Sequence, residues 1–144
     1  MRPSNIGFGF DGELKLYDFG LAKKLKAKDQ VGLDQFKATQ LTGCCRYWSP
    51  EVYYGESYGF SADSYSFALV LWQMISLRIP FNSLEAEQHT NVVYEQNMRP
   101  YVSSSCPRQV KLLMRACWDK KATYRLSFPT ICKILKRYLD SKGS

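Results

Sequence analysis

The chain has little histidine and no long apolar run. His89 is its one histidine, and the five cysteines, Cys44, Cys45, Cys106, Cys117 and Cys132, contain no C-x-x-C pair. A structural zinc site needs clustered thiolate and imidazole ligands, so none is credible here. An odd cysteine count leaves one thiol over in any disulfide framework. A reducing compartment fits that usage, and His89 reads as a helix-surface residue. The longest apolar run, Phe67 to Trp72, is six residues, against roughly 20 for a membrane-spanning helix. The opening Met1-Arg2-Pro3-Ser4 lacks the apolar core of a signal peptide. The expectation is a cytoplasmic chain with no membrane span.

Acidic residues are also scarce: 13 Asp plus Glu stand against 20 Lys plus Arg, a net charge of +7. Such a balance favours acidic partners. The lysines of the central stretch, Lys23, Lys24, Lys26, Lys28 and Lys37, are interrupted by Asp29 and Asp34, and no aromatic residues interleave with them as base stacking would require. They read as a solvated basic loop, so nucleic acid is not an expected partner. With 144 residues, 45% of them hydrophobic, the chain can bury one core but not two independent ones.

Apolar residues around Ile6, Phe8 and Phe10, then Leu14, Leu16 and Phe19, predict two short strands, with Asp11-Gly12 as the hairpin turn between them. Residues 21–45 show no sustained period and read as a long flexible loop. Residues 62–76 are apolar on nearly every face of their second half, which predicts a buried central helix with Leu69, Leu71, Trp72 and Ile75 in the core. A polar helix follows at 84–96 with Val92 and Val93 inward, ended by Pro100. Ser105-Cys106-Pro107 opens another, whose stripe is Val110, Leu113, Met114 and Cys117. Ser127 and Pro129 start a last helix on Phe128, Ile131, Ile134, Leu135, Tyr138 and Leu139, with Lys133, Lys136 and Arg137 outside.

Three runs carry chemistry: Leu16-Tyr17-Asp18-Phe19-Gly20, Arg46-Tyr47-Trp48-Ser49-Pro50-Glu51 and Asp63-Ser64-Tyr65-Ser66-Phe67. Asn5 stands thirteen residues before Asp18, and Arg125 follows Cys117-Trp118. Asp-Phe-Gly alone is a weak match, since Asn5 could simply begin a turn and Asp18 cap one. Taken together, the order and spacing resemble the second half of a protein-kinase catalytic domain: Asp-Phe-Gly, a variant of Ala-Pro-Glu, an Asp opening an apolar helix, and an Arg before the final helix. Met1-Arg2-Pro3-Ser4-Asn5 resembles the end of the catalytic-loop pattern His-Arg-Asp-Leu-Lys-Pro-x-Asn. The Tyr-Ser-Phe of the central helix and the Cys-Trp before the last one look most like the tyrosine-kinase-like serine/threonine branch.

The resemblance implies a mainly α fold with a short β-hairpin, the C-terminal lobe of a kinase over residues 1–140. That lobe would hold the end of the catalytic loop, an activation segment at 18–51 and a helical part at 62–139, with a frayed tail at 141–144. The ATP-gripping N-terminal lobe and the catalytic Asp would lie before Met1, and the chain alone should not catalyse. ATP and Mg²⁺ are the implied cofactors and a protein the implied substrate; nothing fixes an oligomeric state. Mg²⁺ takes hard oxygen ligands, and Asn5 and Asp18 supply them at one end of the hairpin, with Phe19 and Gly20 completing the nucleotide-side motif. Arg2 stands where the family has a Lys reaching toward the transferred phosphate. Glu51 and Arg125 are expected to pair, tying the activation segment to the helical base, with Tyr47 and Trp48 packed under that segment. Residues 42–51 would cradle the substrate peptide, and Thr39 and Thr42 are candidate phosphorylation sites. Asp63, which in the family bonds the catalytic-loop backbone, is expected to lack partners.

The chain also departs from the pattern. Cys44 replaces the threonine of Thr-Gly-Thr, and a thiol is the weaker hydrogen-bond partner, so Ser/Thr specificity is not secured. Ala68, Gln73 and Leu126 replace a Gly, a Glu and a Pro. A different class of function remains open, a non-catalytic pseudokinase-like module that docks proteins through its helices. More distant is an unrelated helical adaptor, which would lack the hairpin from Asn5 to Asp18.

Overall fold

A computed structural model describes residues 1–33, 35–37 and 45–143. Strands β1 (Ile6–Phe8) and β2 (Leu14–Leu16) pair antiparallel, with Ile6 opposite Leu16 and Phe8 opposite Leu14. The Asp-Gly turn works as the sequence predicts. Gly12 takes φ +76°, open to glycine without a Cβ clash, its N–H bonds the Gly9 carbonyl, and the Asp11 carboxylate accepts the Glu13 N–H.

The expectation of a flexible loop at 21–45 is corrected where residues are described. A 3-10 turn at Ala27–Asp29 leads into β3 (Gln30–Gly32), which pairs with β4 (Gln35–Phe36) in an irregular register. Phe36 explains the order. Its side chain is buried, and its backbone makes both bonds of a bridge with Tyr58, 3.0 and 3.1 Å long. Lys23 lies 5.1 Å over the Tyr58 ring and donates to the Lys37 carbonyl, closing the segment on itself.

After the short α1 (Pro50–Tyr53) comes α2 (Ser61–Ser76), the scaffold of the molecule. Tyr65, Ala68, Leu69 and Trp72 pack against Val110, Leu113, Met114 and Cys117 of α4 (Arg108–Cys117). The stripe read for α4 is fully buried, as a regular 3.6-residue pattern against one neighbour should be. The Trp72 indole donates to the Tyr101 carbonyl at 2.8 Å, satisfying its one polar atom. Leu71 is half-buried and Ile75 is exposed, against expectation. The last turn of α2 runs beyond the neighbours that cover its start, and Leu77 ends it at φ +54°.

The polar helix is shorter than expected and changes type. Helix α3 (Ala86–Thr90) begins in a reciprocal capping box between Glu85 and Gln88, then widens into a π turn at Asn91–Glu95. Val93 is buried and Val92 half-buried. His89 is not a surface residue: its ring is buried, edge-on to Phe81 and Tyr94, with no hydrogen-bond partner for either nitrogen among the described residues. Helix α5 (Phe128–Asp140) buries Ile131 and half-buries Ile134, Leu135 and Tyr138, whereas Leu139 is exposed because the helix runs past the core. The result is mainly helical with two small hairpins. No helix among the described residues is long and apolar enough to cross a membrane.

Candidate functional site

The hairpin brings the two ends of its ribbon together. Asn5 closes a 3-10 turn at Pro3–Asn5, and its carbonyl accepts the Tyr17 N–H at 3.1 Å, placing Asp18 beside it. One side chain then spans both predicted ligands. The Arg2 guanidinium donates through Nε to Asn5 Oδ1 at 3.0 Å and lies 3.7 Å from Asp18 Oδ2 through Nη2. Asp18 sits at φ +61° and ψ +66°, a left-handed conformation that few non-glycine residues hold, and aspartate is among those that tolerate it. It leads directly into the turn Phe19–Leu21, with Phe19 and Gly20 both exposed.

Asn5, Asp18 and Phe19 open on a cleft of about 400 Å³. Leu21, Leu25, Trp48, Val52 and Tyr58 form much of its wall, with Asp18 and Asp63 at its acidic part. Asp63 is not short of a partner: it is largely exposed and accepts from the Met1 amino group at 3.3 Å, so no buried unpaired carboxylate arises. Trp48 is half-buried and lines the cleft, whereas Tyr47 is buried beneath it and donates to Gln73 Oε1 at 2.6 Å.

Segment 45–49 is bolted to the helical base. Ser66 donates to the Tyr47 carbonyl at 2.7 Å, and Arg46 donates to the Pro80 and Phe81 carbonyls at 2.5 and 2.8 Å. Two residues farther on, Glu51 meets Arg125 in a buried, two-pronged ion pair of 2.6 and 2.8 Å. The expected pairing is therefore present. Thr39, Thr42 and Cys44 lie outside the described residues.

A family model described as protein tyrosine and serine/threonine kinase matches residues 4–135. The chain belongs to the protein kinase family. It is 34% identical to Serine/threonine-protein kinase 12 of Arabidopsis thaliana over 99% of this chain and 30% of that protein. It is 32% identical to Dual specificity protein kinase shkC of Dictyostelium discoideum over 94% of this chain and 26% of that protein. Against Mitogen-activated protein kinase kinase kinase 12 of Rattus norvegicus the figures are 29%, 91% and 14%. The chain thus spans less than a third of the length of these relatives. The first is named a serine/threonine kinase and all three are protein kinases, in agreement with the tyrosine-kinase-like branch, and the fold is that of a kinase C-terminal lobe.

Sequence reasoning missed several residues that hold the kinase-like segment in place. Tyr94 reaches it from the π turn, Arg46 from within it, and Arg99 ties the base together by donating to the Trp118, Val93 and Met98 carbonyls. Arg99 and Arg125 lie on the buried Tyr65 ring, each 5.1 Å from its centroid. Burial pushes the Tyr65 phenol up from its ordinary value, with the two guanidinium charges opposing the shift. No local pattern announces the Tyr94–Cys45, Arg99–Trp118, Arg99–Tyr65 and Arg125–Tyr65 contacts, because each joins residues far apart in the chain.

Proposed function

We propose that this chain is the substrate-side lobe of an ATP-dependent serine/threonine protein kinase. The observation that carries the reading is the gathering of Asn5 and Asp18 around the one Arg2 guanidinium at the mouth of the cleft. An amide oxygen and a carboxylate oxygen brought to one place offer the hard donors that Mg²⁺ takes, once the Arg2 side chain turns from them toward a phosphate. Asn5 and Asp18 would hold the metal, which when bound neutralises charge on the ATP phosphates. Arg2 would lie beside the transferred phosphate as a fixed positive charge. Segment 45–51, pinned from below, would receive the substrate peptide and fix the hydroxyl's approach, since catalysis of this kind is mostly positioning. The catalytic Asp and the groups that grip ATP would come from residues preceding those in this chain.

The test is phosphate transfer from Mg·ATP to a serine or threonine peptide. The isolated chain should show none, and the chain joined to an N-terminal lobe that supplies a Gly-rich loop, Lys, Glu and Asp should transfer phosphate, abolished by Asp18→Ala. Transfer by the isolated chain, or by the extended protein with Asp18→Ala, refutes the reading. A second reading, a non-catalytic binding module, draws on the same contact: the Arg2 guanidinium, 3.0 Å from Asn5 Oδ1 and 3.7 Å from Asp18 Oδ2, would serve as a purely structural clasp of the two side chains. It predicts that Mg²⁺ leaves the melting temperature of the extended protein unchanged.

A further inference from the structure

The backbone of segment 45–49 is held through its carbonyl groups, and one side chain engages two of them. The Tyr94 hydroxyl donates to the Cys45 carbonyl at 2.9 Å and reaches the Trp48 carbonyl at 3.3 Å. These carbonyls bracket the 3-10 turn Cys45–Tyr47, which the Trp48 N–H closes onto the same Cys45 carbonyl at 3.0 Å. The Tyr94 ring is fixed as well. It is buried, stacks on Tyr53 with 4.0 Å between centroids and 10° between planes, and meets the edge of His89 at 5.9 Å.

The reach of Tyr94 depends on the π turn at Asn91–Glu95. The Gln96 N–H bonds the Asn91 carbonyl five residues back, and this wider repeat turns each side chain less far than an α-helix would. Had α3 continued as an α-helix, the Tyr94 phenol would point along a different direction from the Cys45 carbonyl. π turns of this kind are frequent at functional sites. Burial also pushes the phenol well above its ordinary value, so it remains a proton donor.

We infer that Tyr94 is a positioning residue for the peptide substrate: its hydroxyl fixes the height of the Cys45–Trp48 backbone along which the peptide lies. This rests on the proposal that segment 45–51 receives the substrate. Arg46, within the segment, anchors it to the Phe81 carbonyl of the loop after α2, and Ser66 of α2 donates to the Tyr47 carbonyl, so loss of the Tyr94 bond releases one side of the platform and leaves the fold standing.

Tyr94→Phe keeps the stack on Tyr53 and removes only the hydroxyl. By hydrogen exchange on the full chain, the Trp48 amide should exchange about tenfold faster, the scale of one lost buried hydrogen bond, with the amides of α2 and α4 unchanged. In the protein carrying the N-terminal lobe, the same variant should raise the peptide KM several-fold and leave kcat and the KM for ATP alone. Unchanged Trp48 exchange, or equal acceleration throughout α2, overturns the inference, as does an equal peptide KM in wild type and variant. Absence of phosphorylation by the extended wild-type protein instead overturns the function proposal, a different result from equal constants in two active proteins.

Discussion

Arg125 grips Glu51 across 74 positions of sequence, and every N–H of its guanidinium is used. Two go to the Glu51 carboxylate, and the others reach the carbonyls of Asp119, Ser61 and Lys120. The charge is thereby paired and fully hydrogen-bonded where water does not reach, the condition under which burying an ion pair is tolerated.

Removing one partner should therefore be severe. Arg125→Leu strands the Glu51 carboxylate in the interior, at a cost of roughly 3–5 kcal/mol, readable as a lowered urea midpoint. Arg125→Lys should recover part of the loss, because an ammonium keeps the charge but cannot make two parallel bonds. A midpoint for Arg125→Leu within error of wild type would remove the pair from any structural role.

His89 should make the fold acid-sensitive. Burial, with the Arg46 charge adding to it, holds the imidazole below its ordinary value of 6.5 in the folded chain. The unfolded chain binds its proton near that ordinary value and the folded chain only at lower pH, so the unfolded state carries more protons between the two. Stability from this group is complete above about pH 6.5 and is lost as pH falls toward the folded value. His89→Phe keeps ring contacts with Phe81 and Tyr94 but cannot titrate. Its urea midpoint should fall less than that of wild type between about pH 7.5 and about pH 5.5; identical slopes would exclude His89 as the source.

The described cysteines should divide sharply in reactivity. Cys45 and Cys132 are exposed, whereas Cys106 and Cys117 are buried, and burial pushes the Cys117 thiol up to about 12. The thiolate is the reactive form, so a thiol reagent mapped by mass spectrometry should label Cys45 and Cys132 in the native protein. Cys106 and Cys117 should react only once denaturant unfolds it. Native labelling of Cys117 at a rate near that of Cys132 would contradict the packing of α4 against α2.

The first hairpin should drive self-association. Phe8, Phe10, Leu14 and Phe19 are exposed at 77%, 116%, 61% and 67%, an apolar surface next to an open strand edge. Phe10→Ser should raise the concentration at which light scattering begins and move stability by no more than about 0.5 kcal/mol, as for a residue that packs on nothing. An unchanged scattering threshold would place the adhesive surface elsewhere.

Much of the scaffold is legible from local pattern. The Val110, Leu113, Met114 and Cys117 stripe repeats at the helical period and is buried, and Asp11-Gly12 has a turn chemistry that any sheet would use. Glu51 and Arg125 are legible differently: their spacing resembles a family in which that contact is built, and no periodicity joins them. Periodicity also overreached. It placed Ile75 and Leu139 inside, because an apolar stripe says which face is inward but not how far along the helix the neighbouring element extends.

What the sequence determined by itself is therefore what short-range physics dictates: helix faces, the hairpin turn, the absence of any membrane-length apolar helix, and the residue types a kinase uses around Asp18. Tertiary structure alone decided the pairing of Phe36 with Tyr58, the burial of His89, the position of Arg2 between Asn5 and Asp18, and the reach of Tyr94 to the Cys45 carbonyl. Each of these depends on a contact or packing environment supplied by the folded backbone. A side chain's partner is then set by which elements pack together, a global choice that no window of local sequence contains.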